Sequence, residues 1–296
     1  MSRVHDALRR AEQLTYPAPA ARIETPAGAP APPAATLLPS SLVEGLLEKI
    51  QDVPFTPSSD GHLIDGSRPR EAPAEEFRTL RTRLNHLQTL QPIHTIVVTS
   101  PSPAEGKSFA AVNLALTEAQ LESNRVLLID CDFRRPVVHS LLQLDRSPGL
   151  TEFLQGKASL EESIRRVAGS NLYVLPAGES VLNPLELLNL REMRVLLEEL
   201  PKVFDWVFID SPPLLFAADA NLLSTMCDGT VLVVRIGTTT IDSVTRAMQS
   251  LCENNVLGII VNGARRGELY SKYTYYHSYY YSQSPEPASE SEPPTH

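Results

Sequence analysis

The 296-residue sequence predicts an α/β fold, a doubly wound and mostly parallel sheet with helices on both faces. Three observations lead there. Short runs rich in Val and Ile recur without polar alternation, at Ile93–Thr99, Val126–Asp130, Leu172–Leu175, Trp206–Asp210, Thr230–Arg235 and Leu257–Asn262. Strands covered on both faces read this way. Helical stretches separate the runs, at 107–121, 184–199, 217–227 and 240–254, which is the alternation of crossover units. Two runs close on aspartate and a third enters a Gly-Lys-Ser turn, so polar chemistry gathers at one edge of the sheet.

In chain order, residues 1–16 form the first segment. Val4, Ala7, Leu8, Ala11 and Leu14 follow helical spacing and predict a short amphipathic helix, marginal unless it packs on something. It reads as a docking helix for a partner or a membrane surface, or as a frayed helix with neither. Residues 17–70 are rich in Pro and Ala and read as a semi-rigid linker with one possible helix at Leu42–Ile50. The folded domain spans 71–268. It opens with a helix over Ala74–Leu90, whose stripe is Phe77, Leu80, Leu84 and Leu87. Residues 269–296 form a tail. Seven of the nine tyrosines stand between 270 and 281, and the Ser-, Pro- and Glu-rich end carries no aliphatic side chain larger than alanine. Such a tail builds no core and is expected to be disordered.

The 25 prolines and the modest 42% apolar content come mainly from these two ends, so they do not argue against a packed domain. A formal charge of −9 without a basic run excludes nucleic acid as the main partner. Cys131, Cys227 and Cys252 have no metal-ligand spacing and point to reduced thiols in the cytoplasm. No apolar run is long enough to cross a bilayer and the first residues show no signal-peptide core, so a soluble protein is expected, reaching a membrane only through a partner or surface contact.

The strand Thr95–Thr99 runs into Ser100-Pro101-Ser102-Pro103-Ala104-Glu105-Gly106-Lys107-Ser108, and a helix follows. This strand–loop–helix context is what a P-loop requires. Backbone N–H groups across Pro103, Ala104, Glu105, Gly106, Lys107, Ser108 and Phe109 would face phosphate oxygens, Pro103 itself supplying no N–H. Lys107 would reach the β- and γ-phosphates, and the Ser108 hydroxyl would hold Mg²⁺. The first glycine of the general motif is absent, with Pro101 in its place.

Asp130 and Asp132 follow one buried run and Asp210 another. Carboxylates at the C-terminal ends of parallel strands lie on the ligand edge of an open sheet, and one of them commonly completes a metal shell. An aspartate after an apolar strand is also a frequent turn former or helix cap, but three beside a P-loop form a constellation. Arg134 is placed to stabilise developing charge on a γ-phosphate, whereas Arg135 reads equally as a solvated surface residue. Cys131, between two carboxylates, reads as a packed side chain and not as a nucleophile.

Taken together these pieces resemble the bacterial tyrosine kinases (BY-kinases) of capsule and exopolysaccharide systems, within the MinD/ParA-like P-loop ATPases. The resemblance covers residues 71–281. It rests on Thr99–Ser108 as Walker A, on Ile129–Pro136 as Walker A′ and on Ile209-Asp210-Ser211-Pro212-Pro213 as Walker B. Leu175–Gly178, Asn183–Leu188 and the tyrosine cluster add to it. Glu75, Arg78 and Arg81 fit the family's E-x-x-R-x-x-R motif, which mediates oligomer contacts. Three departures stand out: Ala104 where the family usually has Gly, Phe109 where it has Thr, and Cys131 where it has a small residue, usually Ala.

The resemblance implies a protein-tyrosine autokinase using ATP and Mg²⁺. Asp130, Asp132 and Asp210 would divide the roles of metal shell and general base. It would phosphorylate Tyr270, Tyr273, Tyr275, Tyr276, Tyr279, Tyr280 and Tyr281 across an oligomer. It further implies regulation of exopolysaccharide synthesis and export. The partner implied is a separate membrane activator of the polysaccharide co-polymerase (chain-length determinant) type, which would recruit the protein to the inner face of the plasma membrane. Two readings compete. A MinD/ParA-like positioning ATPase would hydrolyse ATP without forming phosphotyrosine, and a scaffold would not need Lys107. No Asn-Lys-x-Asp guanine motif is present to support a GTPase.

Overall fold

In a computed structural model of the chain, six strands lie parallel and carry the site. They are β2 (Thr95–Thr99), β3 (Val126–Asp130), β5 (Leu172–Leu175), β6 (Trp206–Asp210), β7 (Gly229–Arg235) and β8 (Val256–Asn262). Two short strands, β1 (Gln51–Val53) and β4 (Arg165–Val167), complete a sheet of order β1-β4-β5-β3-β6-β2-β7-β8. β4 runs antiparallel to β5, and β1 parallel to β4. The structure describes residues 45–55, 63–64, 73–251 and 256–264. The expected N-terminal helix, much of the linker and the whole tyrosine tail lie outside them.

The described helices are α1 (Leu46–Lys49), α2 (Ala74–Leu90), α3 (Lys107–Glu118), α4 (Val138–Leu142), α5 (Leu150–Leu154), α6 (Leu160–Ser163), α7 (Pro184–Leu188), α8 (Arg191–Glu199), α9 (Ala218–Met226) and α10 (Ile241–Ser250). The six predicted runs all become strands. Their alternate side chains serve two cores: Val97, Leu127, Ile129, Val207 and Ile209 pack with α5–α9, while Ile96, Val98, Leu128 and Phe208 pack with α2–α4.

Two expectations need correction. The linker reading of 17–70 does not hold at its C-terminal part, where Leu46, Ile50 and Ile64 are buried in the domain and Gln51–Val53 pairs with β4. The helix expected over 184–199 is two helices, broken where Leu190 is extended. Leu188 and Met193 are both fully buried. Five residues apart, they would diverge by about 140° on one continuous helix, and the break brings both to the core.

α3 is the P-loop helix and is buried almost throughout, between α2 and the sheet. At its C-terminal end Glu118 is fully buried and accepts from Asn85 Nδ2 (3.3 and 3.2 Å) and Asn124 Nδ2 (3.1 Å). Asn85 Oδ1 in turn accepts from Trp206 Nε1 at 3.2 Å. Burial outweighs the two amide bonds and pushes the Glu118 pKa up to about 7. Folded chains therefore bind this proton in a pH range where unfolded chains release it, and stability falls as pH rises through that window. Glu118→Gln should be more stable than wild type above neutrality. The gap should widen by about 2 kcal/mol between about pH 5 and about pH 8, measured by urea unfolding at each pH.

Candidate active site

Register builds the site. β3 pairs with β6 so that Asp130 is directly opposite Asp210, and β6 pairs with β2 so that Asp210 is opposite Val98, just before the loop. The loop then returns over the strand ends and delivers Lys107 as the first residue of α3. Lys107 Nζ lies 2.7 Å from Asp132 Oδ2 and 3.3 Å from Asp210 Oδ1, and 3.0 Å from Ser108 Oγ. Lys107, Ser108, Asp130, Asp132 and Asp210 are all buried. Burial works against the Lys107 ammonium, but Asp210 and Asp132 outweigh it and hold its pKa above the usual value.

The aspartates differ. Asp130 receives backbone N–H groups on both oxygens, from Asp132 (3.1 Å) and from Val138 at the start of α4 (3.1 Å). It fastens the loop that presents Asp132. Burial, then the adjacent Asp210, push its pKa well above the usual carboxylate range. Asp210 is also raised, mainly by burial and against the pull of Lys107. Its Oδ2 is buried and accepts no hydrogen bond. Asp132 uses Oδ1 on the Arg135 N–H (3.0 Å) and Oδ2 on Lys107.

This donor set fits Mg²⁺. It offers two carboxylates and a hydroxyl, one carboxylate oxygen is buried without a partner, and there is more negative charge than Lys107 offsets. Among the described residues no group of three or more His, Cys, Asp or Glu forms a closed metal cage. Ser108, Asp132 and Asp210 would therefore share the ion with phosphate oxygens and water.

Ala104 has φ 64° and Gly106 φ 95°. Left-handed residues on either side of Glu105 turn successive N–H groups toward one concave face. Pro103 and Ala104 are exposed, and Glu105 is buried. The Phe109 side chain packs edge-on against Phe77 of α2, at 6.1 Å between ring centroids, which leaves its backbone as the part able to face a phosphate. Arg134 Nε donates to the buried Asp219 of α9 at 2.9 Å. Glu75 and Arg78 pair on α2 at 2.5 Å, while Arg81 Nη1 donates to the Thr117 carbonyl at the end of α3, 2.9 Å away. The seven tail tyrosines lie outside the described residues.

Sequence reasoning missed Asp219 and the second layer around the loop. Glu105 accepts from the Ser102 N–H (2.8 Å) and from the Thr239 hydroxyl. Asn262, closing β8, donates to the Glu105 carbonyl at 2.9 Å. Its signal was available, since Asn262 ends a Val/Ile run as Asp130 and Asp210 do. At Ala104 the left-handed backbone burdens a Cβ, and that residue is exposed, so Ala104→Gly should stabilise the folded chain by about 1 kcal/mol. Thermal unfolding without nucleotide checks this.

The AAA domain family matches residues 94–253. Among curated proteins, the tyrosine-protein kinase YwqD of Bacillus subtilis is 36% identical over 217 residues, which cover 73% of this chain and 91% of YwqD. The tyrosine-protein kinase wzc of Salmonella typhimurium is 32% identical over 225 residues, covering 75% of this chain and 31% of wzc. The chain spans between 22% and 32% of such longer relatives. Among solved structures, the kinase domain of the Escherichia coli tyrosine kinase ETK superposes with a TM-score of 0.65 at 29% identity, over 78% of this chain and 86% of that one. The septum site-determining protein MinD of Pyrococcus horikoshii, solved with Mg-ADP, shares the fold with a TM-score of 0.51 at 22% identity, over 60% of this chain and 72% of that one. With its P-loop, its two acidic strand ends and these relatives, the chain belongs to the bacterial tyrosine-protein kinases.

Proposed function

We propose that the chain transfers the γ-phosphoryl group of ATP to tyrosines of its own C-terminal cluster, from one subunit to another within an oligomer. The observation that carries this reading is Lys107 held between Asp132 and Asp210 at the mouth of three adjacent parallel strands. That arrangement suits in-line phosphoryl transfer, in which positioning and charge neutralisation supply most of the rate.

The loop N–H groups between Ala104 and Ser108 hold the phosphates. Lys107 neutralises charge on the transferring group. Ser108, Asp132 and Asp210 would hold Mg²⁺, which supplies further neutralisation of the phosphate oxygens. A tyrosine hydroxyl has an ordinary pKa of about 10 and attacks poorly as the neutral phenol. Asp130, Asp132 and Asp210 divide the metal shell and the base between them, and the carboxylate left off the metal accepts the hydroxyl proton as the new P–O bond forms and the bond to ADP breaks. Asp130 holds the loop on which Asp132 rides. Arg134, paired with Asp219, would meet charge on the γ-phosphate.

The acceptors proposed are Tyr270, Tyr273, Tyr275, Tyr276, Tyr279, Tyr280 and Tyr281. Glu75 and Arg78 form the subunit contact, with Arg81 fixing α2 against α3. The domain is bounded near 71–268 with the packed segment 45–55 added. The biological setting proposed is exopolysaccharide synthesis and export, with the protein brought to the inner face of the plasma membrane by a separate membrane activator. Among the described residues no helix is long and apolar enough to cross a membrane.

Incubation of wild type and Lys107→Met with Mg-ATP, followed by phosphate mapping, tests the reading. Phosphate is expected on 270–281 in wild type alone. ATP hydrolysis without phosphotyrosine, even with a candidate activator present, would instead support a positioning ATPase. Chelation of divalent cations should abolish transfer, and Asp132→Asn should lower its rate by roughly a hundredfold or more. Each phosphotyrosine adds about −1.5 to −2 charges to an already acidic chain. Autophosphorylated protein should therefore show a smaller oligomer by light scattering than the dephosphorylated form, and equal masses would sink that part of the proposal.

A further inference from the structure

We propose that Asn262 is a positioning residue of the phosphate loop, fixing the polarity of its peptide groups from outside the loop. This rests on the reading of 103–108 as the phosphate site. An anion cradle works only if its N–H groups converge inward, and each such peptide must then turn its carbonyl outward. Those outward carbonyls need donors. The last residues of β7 and β8 supply them. Asn262 Nδ2 donates to the Glu105 carbonyl at 2.9 Å, and Arg235 Nη1 reaches the Ala104 carbonyl at 3.3 Å.

Asn262 is itself held by three bonds. Its Oδ1 accepts the Gly263 N–H at 2.8 Å and its carbonyl accepts the Ile236 N–H at 3.0 Å, while Nδ2 is spent on Glu105. The Nδ2 end of the amide also closes on Gly106. A Cβ at that position would stand 2.0 Å from Asn262 Nδ2. Gly106 is thus required twice, for its left-handed backbone and for the closeness of Asn262. The same carbonyl that Asn262 orients belongs to the peptide whose N–H is that of Gly106, between the two left-handed residues Ala104 and Gly106. Release of that carbonyl would let the peptide rotate and present oxygen, not hydrogen, to phosphate.

The full-length chain distinguishes this role from a purely structural one and from a contact with the nucleotide base. Wild type, Asn262→Ala and Asn262→Asp would be titrated with ADP and with inorganic pyrophosphate, both with Mg²⁺, by calorimetry, and each unfolding temperature recorded without ligand. The expected result is that Asn262→Ala weakens both ligands by the same factor, about tenfold. Asn262→Asp keeps the shape but sets an acceptor against the Glu105 carbonyl, and should weaken both further. Unfolding temperatures should differ by only a few degrees. Weakened ADP with unchanged pyrophosphate would overturn the proposal in favour of a base contact, and unchanged affinity for both would overturn it outright. A wild-type chain that binds neither ligand would remove the phosphate-site reading, and this inference with it.

Discussion

The parallel register of β3 against β6 sets Asp130 beside Asp210, two fully buried carboxylates on adjacent strands. The arrangement around them answers that constraint. Asp130 is surrounded by backbone N–H groups and becomes part of the scaffold. Asp210 keeps one oxygen unpartnered, and Lys107 reaches across from the P-loop to both Asp210 and Asp132. One ammonium for three carboxylates leaves a deficit of positive charge at the strand mouth, and that deficit is what makes a divalent cation with polyphosphate a fitting ligand. The deep burial of α3 serves the same end. A helix locked between α2 and the sheet cannot swing, so the lysine at its first turn has a fixed origin.

Around this centre two layers divide the work. The inner layer consists of Lys107, Ser108, Asp132 and Asp210, whose side chains meet one another. The outer layer (Asp130, Glu105, Thr239, Arg235 and Asn262) touches mainly backbone and holds the inner groups in place. Pre-organisation of this kind reduces the rearrangement needed when a charged ligand arrives. It also explains why Ala104 is tolerated in a left-handed conformation, since the neighbouring peptides are held by donors from the ends of two other strands.

The six central strands were legible because each is buried on both faces, which leaves an unbroken Val/Ile signature. The inner residues of the site were legible as a set: one aspartate after such a run reads as well as a turn former or cap, but two acidic strand ends beside a Gly-Lys-Ser turn do not. β1 and β4 were not. Gln51–Val53 and Arg165–Val167 are three residues each, polar in part, and lie at or beside one margin of the sheet, where no periodicity can accumulate. Glu118 was hidden because a glutamate at a helix end reads as solvated, and only the packing of α2 over α3 takes it out of water. Asn262 shows the opposite failure. Its pattern matched the aspartates, but an uncharged side chain drew no attention.

At the other margin, among the described strands, the sheet ends on β8. Between Val256 and Asn262 this strand carries no Lys, Arg, Asp or Glu, and Ile259 and Val261 are about half exposed. Proteins usually protect such an edge with a charge, a proline or a bulge, because an uncharged apolar edge invites strand addition by another chain. Within the strand the register slips once, a bulge at Leu257 between the pairs Thr230–Val256 and Val231–Gly258, and from Gly258 to Asn262 the edge runs regular and uncharged. The nearest charges downstream in sequence are Arg265, Arg266, Glu268 and Lys272, and then the acidic residues Glu286, Glu290 and Glu292 near the C-terminus. A chain cut just after β8 would keep the whole adhesive edge and lose the charge that follows it, so colloidal behaviour, as well as chemistry, is tied to the segment beyond Asn262.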